Sequence, residues 1–270
     1  MLEYDFMRHA FAAATPVAIV AGVVGYFLVL RGQTFAGHAL SHVGFTGATG
    51  AVLVGLPPLW GLVLMTLSAG VGMGLLGEQL AQRDVAIGLV LAFALGLGLL
   101  FLSFFTAFAT QATTLLFGNV LAVDVRTVWS LVGLGILTLL LLAVIARPLL
   151  FATLQPELAE AKGISLRRYS VLFMIVVALA TSQSAQIVGV LLVFALMVGP
   201  AASAQRLSSS VPLGIALAAT LALLEAWFGI ALAYYTDWPS SFWIVTVSVV
   251  VYLGSTAATR VVGLSVSSRA

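Results

Sequence analysis

The chain contains no cysteine, so disulfides and thiolate metal ligands are both excluded. Charge is almost as scarce: Asp, Glu, Lys and Arg make up 7% of the 270 residues. Soluble domains carry about 25%, and a soluble fold could not cover its surface with so few. The single lysine is Lys162, in AKG, so no G-x-x-x-x-G-K-[ST] loop is present to cradle the phosphates of ATP. H-E-x-x-H and G-x-S-x-G are also missing, which leaves no recognisable hydrolytic site and argues against an enzyme. Runs of like charge that would hold a nucleic acid are absent. The pI near 9.2 reflects a handful of arginines at a net charge of +2. The opening MLEYDFMRHA lacks a basic n-region, and the small-residue run AFAAATP precedes the first apolar stretch instead of following it. A cleavable signal peptide is therefore not expected.

What the sequence has is apolar length. Hydrophobic residues are 62% of the chain and the mean hydropathy is +1.18, as in a polytopic membrane protein. Lipid offers no partner to backbone polar groups, so the spans should be helices of about 20 residues. Apolar runs fall at roughly 10–30, 36–56, 58–77, 85–110, 127–147, 169–184, 187–205, 212–235 and 241–262. The expected fold is all-α, a transmembrane helical bundle of eight or nine spans in one domain, 1–270. The pair 169–184 and 187–205 is short and its joint, TSQSAQ, is polar, which predicts one partial or broken helix there. With 148–168 placed in the cytoplasm, nine of the eleven basic residues fall inside and only Arg8 and Arg126 outside. That bias predicts an external N-terminus and a cytoplasmic C-terminus. Tyr234, Tyr235, Trp238 and Trp243, in YYTDWPSSFW, read as interface anchors. The 26 glycines, in runs such as AGVGMGLLG and GFTGATG, read as close helix contacts.

Three features carry chemistry. His38 and His42, in GQTFAGHALSHVGFTGATG, lie at i and i+4 and share one helix face. Neutral imidazole suits zinc, nickel, copper and iron, and two at this spacing can hold one ion. The alternative is that each satisfies a helix or water contact in a polar seam. The third histidine, His9, sits beside Arg8 at the interface. Glu225, in LALLEAWFG, is the one acid well inside a span; it is either a pathway residue or a packed acid. Gln111, Thr113 and Thr114 either line a path or end a helix. The third feature is the longest loop, RPLLFATLQPELAEAKGISLRR. Pro156 followed by Glu157, Leu158, Ala159 and Glu160 reads as a helix start, and Gly163 as its end. A short amphipathic helix at the cytoplasmic face serves either to dock a partner or to tidy the loop.

These stretches together resemble the permease subunit of bacterial metal-ion ABC importers, the ABC-3 family. Residues 4–55 are similar to the family's first two spans, and RDVAIGLVLAFALGLGLLFLS to its middle section. LFGNVLAVDV resembles the external loop that follows. QPELAEAKGIS resembles the cytoplasmic segment that packs on the ATPase. QIVGVLLVFALMVGPAASAQRLS and FGIALAYYTDWPS resemble the C-terminal part. The resemblance implies a type II importer permease fold in the bacterial inner membrane. Its implied partners are a second copy of the chain, cytoplasmic ATPase subunits and an extracytoplasmic metal-binding protein, with no nucleic acid. No permanently bound cofactor is implied, only a divalent metal in transit. Gln155, Pro156, Glu157, Leu158, Ala159 and Glu160 would dock the ATPase. GHALSH is similar to the family pattern Gly-Asp-Ala-Leu-Ser-His, whose Asp and His face the metal path. His42 matches the family histidine, and His38 stands where the family has aspartate. Imidazole in place of carboxylate favours zinc over manganese, with iron also open. Two rivals remain. One is a stand-alone secondary metal transporter or channel, which should carry coupling-ion carboxylates in several spans. The other is an intramembrane enzyme that gathers His38, His42 and Glu225 on one metal.

Overall fold

The computed structural model describes residues 1, 3–75, 80–105, 115–118 and 120–267. Every regular element among them is helical. In order these are α1 (Asp5–Leu30), α2 (Thr34–Leu53), α3 (Pro58–Leu75), α4 (Leu80–Ser103), a 3-10 turn (Val120–Ala122), α5 (Val125–Leu154), α6 (Pro156–Ala161), α7 (Leu166–Val188), α8 (Val193–Leu207), α9 (Val211–Thr236) and α10 (Ser240–Ser267). Gln111, Thr113 and Thr114 lie outside the described residues.

Burial sorts the helices into a centre and a shell. The most apolar windows of α1 and α7 are 67% and 78% buried, against 17–33% for α3, α4, α5, α9 and α10. The reason is side-chain size. α1 is built on AFAAATPVAIVAGVVG, and its alanines and glycines let neighbours close on it from several sides. It packs on α5, α7, α8 and α9. The shell helices turn Phe93, Trp129 and Val144 outward, each more than 70% exposed. In water such a surface would aggregate; in lipid it is the natural boundary.

Seven of the described helices are long and apolar enough to cross a membrane, namely α1, α3, α4, α5, α7, α9 and α10. That measure is length and composition alone, and it recovers seven of the expected eight or nine spans. The two remaining expected spans, 36–56 and 187–205, are helices as well, and the Arg31–Thr153 hydrogen bond puts the ends of α1 and α5 on one face, so α2 runs across the bundle between α1 and α3. α2 has 20 residues, but histidines, threonines and glycines lower its hydropathy. Fourteen of those 20 are buried, so protein rather than lipid surrounds it. α8 has only 15 residues, about 22 Å at 1.5 Å per residue, short of a hydrocarbon core of about 30 Å.

The polar stretch TSQSAQ is not a joint. It lies inside α7, which runs on to Val188, and the break falls at Gly189–Leu192. Two of its side chains bond to neighbouring helices, while the Ser184 hydroxyl is buried without a partner. Ser182 donates to the Ala178 carbonyl at 2.9 Å and shares a 2.7 Å hydrogen bond with the Thr66 hydroxyl of α3. Gln183 donates through Nε2 to the Leu131 carbonyl of α5 at 2.9 Å. Between helices in lipid, such bonds act as glue and do not interrupt the helix.

At the α9–α10 turn, Asp237 takes the left-handed conformation at φ 58° and ends α9. Trp238 stacks on Trp243 at 5.6 Å, Tyr234 meets Tyr235 at 5.3 Å, and the Trp243 indole donates to Thr236 at 2.8 Å. The expected aromatic anchors thus form two pairs at this turn, one of tyrosines and one of tryptophans.

α2 meets α3 through glycine on glycine. A Cβ added at Gly61 would come within 2.7 Å of the Ala51 Cβ, and one at Gly47 within 2.8 Å of the Met65 Cβ, with each glycine also pressed on the other's backbone. Gly61→Val should therefore destabilise the protein by about 1–3 kcal/mol through overpacking. Gly96→Ala on α4, where a Cβ meets nothing within 4 Å, should stay within about 0.5 kcal/mol of the parent. Thermal unfolding in detergent, followed by tryptophan fluorescence, measures both.

Candidate functional site

α2 places the two imidazoles by its period alone, four residues apart on one face. Their rings stand edge to face, centroids 4.7 Å apart at 87°. His42 is buried at 6% exposure and His38 is half-buried. Phe194, in the first turn of α8, closes edge-on against His38 at 5.6 Å. The Ser41 hydroxyl between them is turned back to the His38 carbonyl at 2.7 Å. The Nδ1 atoms of both histidines are buried and have no hydrogen-bond partner. A buried polar atom left unpaired costs about 1–3 kcal/mol. In the polar seam of α7 the Thr181 and Ser182 hydroxyls find partners and those of Ser170 and Ser184 do not, and the seam does not reach these nitrogens.

Glu225 sits elsewhere. It is 1% exposed on α9, and neither carboxyl oxygen has a partner at hydrogen-bond geometry. The polar group beside it is the Ser248 hydroxyl of α10, which itself donates to the Ala195 carbonyl at 3.1 Å. α9 packs on α1, α8 and α10, whereas α2 packs chiefly on α3 and α4, with α7 and α8 behind. Phe194 of α8 faces His38 while its neighbour Ala195 faces Ser248, so α8 stands between the acid and the histidines. Among the described residues, no group of three or more His, Cys, Asp or Glu could hold one metal. The structure brings His38 and His42 together and leaves Glu225 apart, which removes the geometric basis of a three-ligand enzyme site.

The segment expected to dock a partner forms the short helix α6. Pro156 stands in its first turn with Glu157. Gln155, Pro156, Glu157, Leu158 and Glu160 are exposed, and Ala159 is buried. Gly163, at φ +80°, closes the helix: its amide donates to the Glu160 carbonyl at 2.8 Å and that of Ile164 to the Ala159 carbonyl at 2.9 Å. This is the Schellman arrangement. α6 packs on the end of α5 and on α7, and Lys162 lies over the Phe151 ring at 5.4 Å. At the start of α5, the Asp124 carboxylate accepts from the Thr127 amide at 2.9 Å. That hydrogen bonding holds the Asp124 carboxyl below its ordinary range.

Two partners of this site carried no signal in the sequence. Phe194 is one apolar residue in an apolar run. Leu115 and Leu116 accept from the amides of Val190 and Leu191 at 3.3 and 3.2 Å, a backbone pairing over the turn that leads into α8. The glycines that permit it, Gly118 and Gly189, both at positive φ and with no room for a Cβ, are two among 26, and nothing in the sequence pairs them.

Comparison with known proteins adds the following. Residues 3–259 match the ABC 3 transport family. The manganese transport system membrane protein MntC of Halalkalibacterium halodurans is 32% identical over 249 residues, covering 92% of this chain and 85% of MntC. The manganese import system permease protein ScaB of Streptococcus parasanguinis is 29% identical, over 93% of this chain and 90% of that one. A solved structure of PsaBC from Streptococcus pneumoniae in complex with Fab contains a chain that superposes with a TM-score of 0.82 at 28% identity. It covers 94% of this chain and 92% of that one.

The cap of α6 gives a local expectation. Gly163→Ala places a Cβ in the left-handed region, at a cost of about 1–2 kcal/mol, whereas Gly163→Asn tolerates it better. Amide exchange at Ile164 should speed up in the alanine variant and less so in the asparagine variant, read by hydrogen–deuterium exchange mass spectrometry.

Proposed function

The chain belongs to the ABC 3 transport family, and on that premise we propose that it is the membrane permease subunit of an ABC importer. It moves a divalent metal ion into the cytoplasm on ATP hydrolysed by a partner subunit. The seven apolar helices among its described residues and its family make it a multi-pass protein of the bacterial inner membrane. The observation that carries the reading is the His38–His42 pair, two imidazoles at 4.7 Å with both Nδ1 atoms buried and unpartnered. An ion that uses those nitrogens removes their desolvation penalty while it is bound. One copy offers two nitrogens. A second copy about a dimer axis offers two more, enough for four-coordinate binding.

The cargo follows from two considerations that pull apart. Imidazole donors favour zinc over manganese. The relatives named above are manganese proteins, and they lend zinc no support. Manganese is therefore the first cargo to test, with zinc and iron in competition. A stand-alone secondary transporter or channel is the weaker reading. It needs coupling carboxylates in several spans, and the buried acid found, Glu225, lies across α8 from the histidines.

Uptake of manganese and zinc in competition, with protein level controlled by immunoblot, tests the pair. His42→Ala should abolish most uptake. His38→Asp should keep uptake and shift the preference toward manganese. Uptake should weaken as pH falls, because a protonated imidazole cannot coordinate a metal. Parental rates for both His38→Ala and His42→Ala would reduce the pair to packing and end this reading.

For ATPase docking we propose α6, with Gln155, Pro156, Glu157, Leu158, Ala159 and Glu160 as the contact segment. Its support is an exposed acidic turn held rigid between α5 and α7. Glu157→Arg, and separately Gly163→Pro, should leave the permease in the membrane and cut co-purification of the ATPase. Undiminished pull-down and uptake with both changes would take α6 out of the interface.

A further inference from the structure

Metal at α2 and a partner's ATP hydrolysis felt at α6 must be coupled across the bundle, and Arg31 touches the supports of both. Arg31 is the C-cap of α1 and opens the three-residue turn into α2. The turn is stiff. Gly32, at φ +62°, donates to the Val29 carbonyl and Gln33 to the Leu28 carbonyl, both at 3.0 Å. α2 begins at Thr34, and His38 is five residues beyond Gln33. The Arg31 guanidinium reaches back from this turn in two directions. Its Nη1 donates to the Thr153 hydroxyl at 2.8 Å, in the last turn of α5, two residues before Gln155. Its Cζ lies 5.5 Å from the ring centroid of Phe173, a fully buried residue of α7. α5 and α7 are the two helices between which α6 is slung.

We propose that Arg31 is the positioning residue that joins the α6 segment to the histidine helix, so that displacement of α6 by the ATPase is delivered to the start of α2. This rests on the permease reading above. The chemistry of the link suits the task. Thr153 is itself anchored to the Leu149 carbonyl at 2.6 Å, so it follows the axis of α5. The planar guanidinium can donate in one direction and stack in another at the same time, which an ammonium cannot do as well. A helix is stiff along its length, so a shift at its first turn is carried to residues one turn on. The histidines thus feel a push at α6 through three short links, the end of α5, the Arg31 side chain and the first turn of α2.

The test uses the absence of cysteine. Phe35, in the first turn of α2 and 39% exposed, is replaced by cysteine as the sole thiol of the complex with its ATPase subunits. Where those subunits carry cysteines of their own, they are first made serine. Thiol-labelling rate at this position is read with and without ATP and magnesium, beside manganese and zinc uptake in proteoliposomes. In the parent, nucleotide should change the labelling rate severalfold. In Arg31→Met and in Thr153→Val, expressed and melting as the parent does and still co-purifying with the ATPase, that response should shrink to near the no-nucleotide rate. Arg31→Lys should restore part of it, and Arg31→Met/Thr153→Val should be no worse than either single change, as one shared contact requires. A parental-sized response in Arg31→Met and Thr153→Val, or no response in the parent, overturns the proposal. A parental response with no metal uptake overturns the metal reading and leaves the Arg31 link standing, because labelling does not depend on the cargo.

Discussion

A chain in lipid must answer its own polar atoms, because no water is there to do it. This constraint explains why the bundle is helical throughout the described residues, and it also explains where polar side chains are found. Thr66, Thr138, Thr181 and Ser182 are wholly buried, yet each hydroxyl is matched to a neighbouring carbonyl, hydroxyl or thioether. Other buried polar atoms are left unanswered. They include single atoms of Gln33, Ser170, Gln183 and Ser184, as well as the His38 and His42 Nδ1 atoms and the two Glu225 oxygens. The histidine pair shares one face and one neighbouring aromatic, while the acid is isolated behind α8.

The architecture was legible in the sequence because its strongest signal is length of apolar run, which lipid sets directly. The helix positions follow, including α6 and its Gly163 stop. The errors came where protein replaces lipid as the surroundings. α2 is wrapped by other helices, so it does not need to look like a span. TSQSAQ looks like a break only until Ser182 and Gln183 are given partners on α3 and α5, which no local pattern announces. The i, i+4 histidines were legible because helical period fixes their meeting. The separation of Glu225 from them was not, since it depends on which face of α8 meets which helix. The preference for zinc came from donor chemistry alone, and the family relatives do not share it.

The same division of labour runs along the molecule. Helix interiors are specified by small residues that allow approach, as in α1. Helix ends are specified by backbone geometry, with left-handed glycines at the turns after α1 and α6. The two turns use the same pair of closing hydrogen bonds, although one leads into the histidine helix and the other ends the exposed acidic segment. Arg31 and Thr153 lie beside these turns, so two turns closed by main-chain hydrogen bonds sit at the two ends of the proposed link.

The glycine contact between α2 and α3 has a mechanical meaning. With Gly47 and Gly61 seated on one another, the two helices behave as a single beam with no bearing between them. The beam resists twisting about the long axis of α2, since rotation would drive neighbouring side chains into the facing backbone. The histidine face can then be re-aimed only by tilting the pair as a body. In such a machine, access to an ion would alternate by rocking, and tuning for a different ion would be left to the choice of donor atoms.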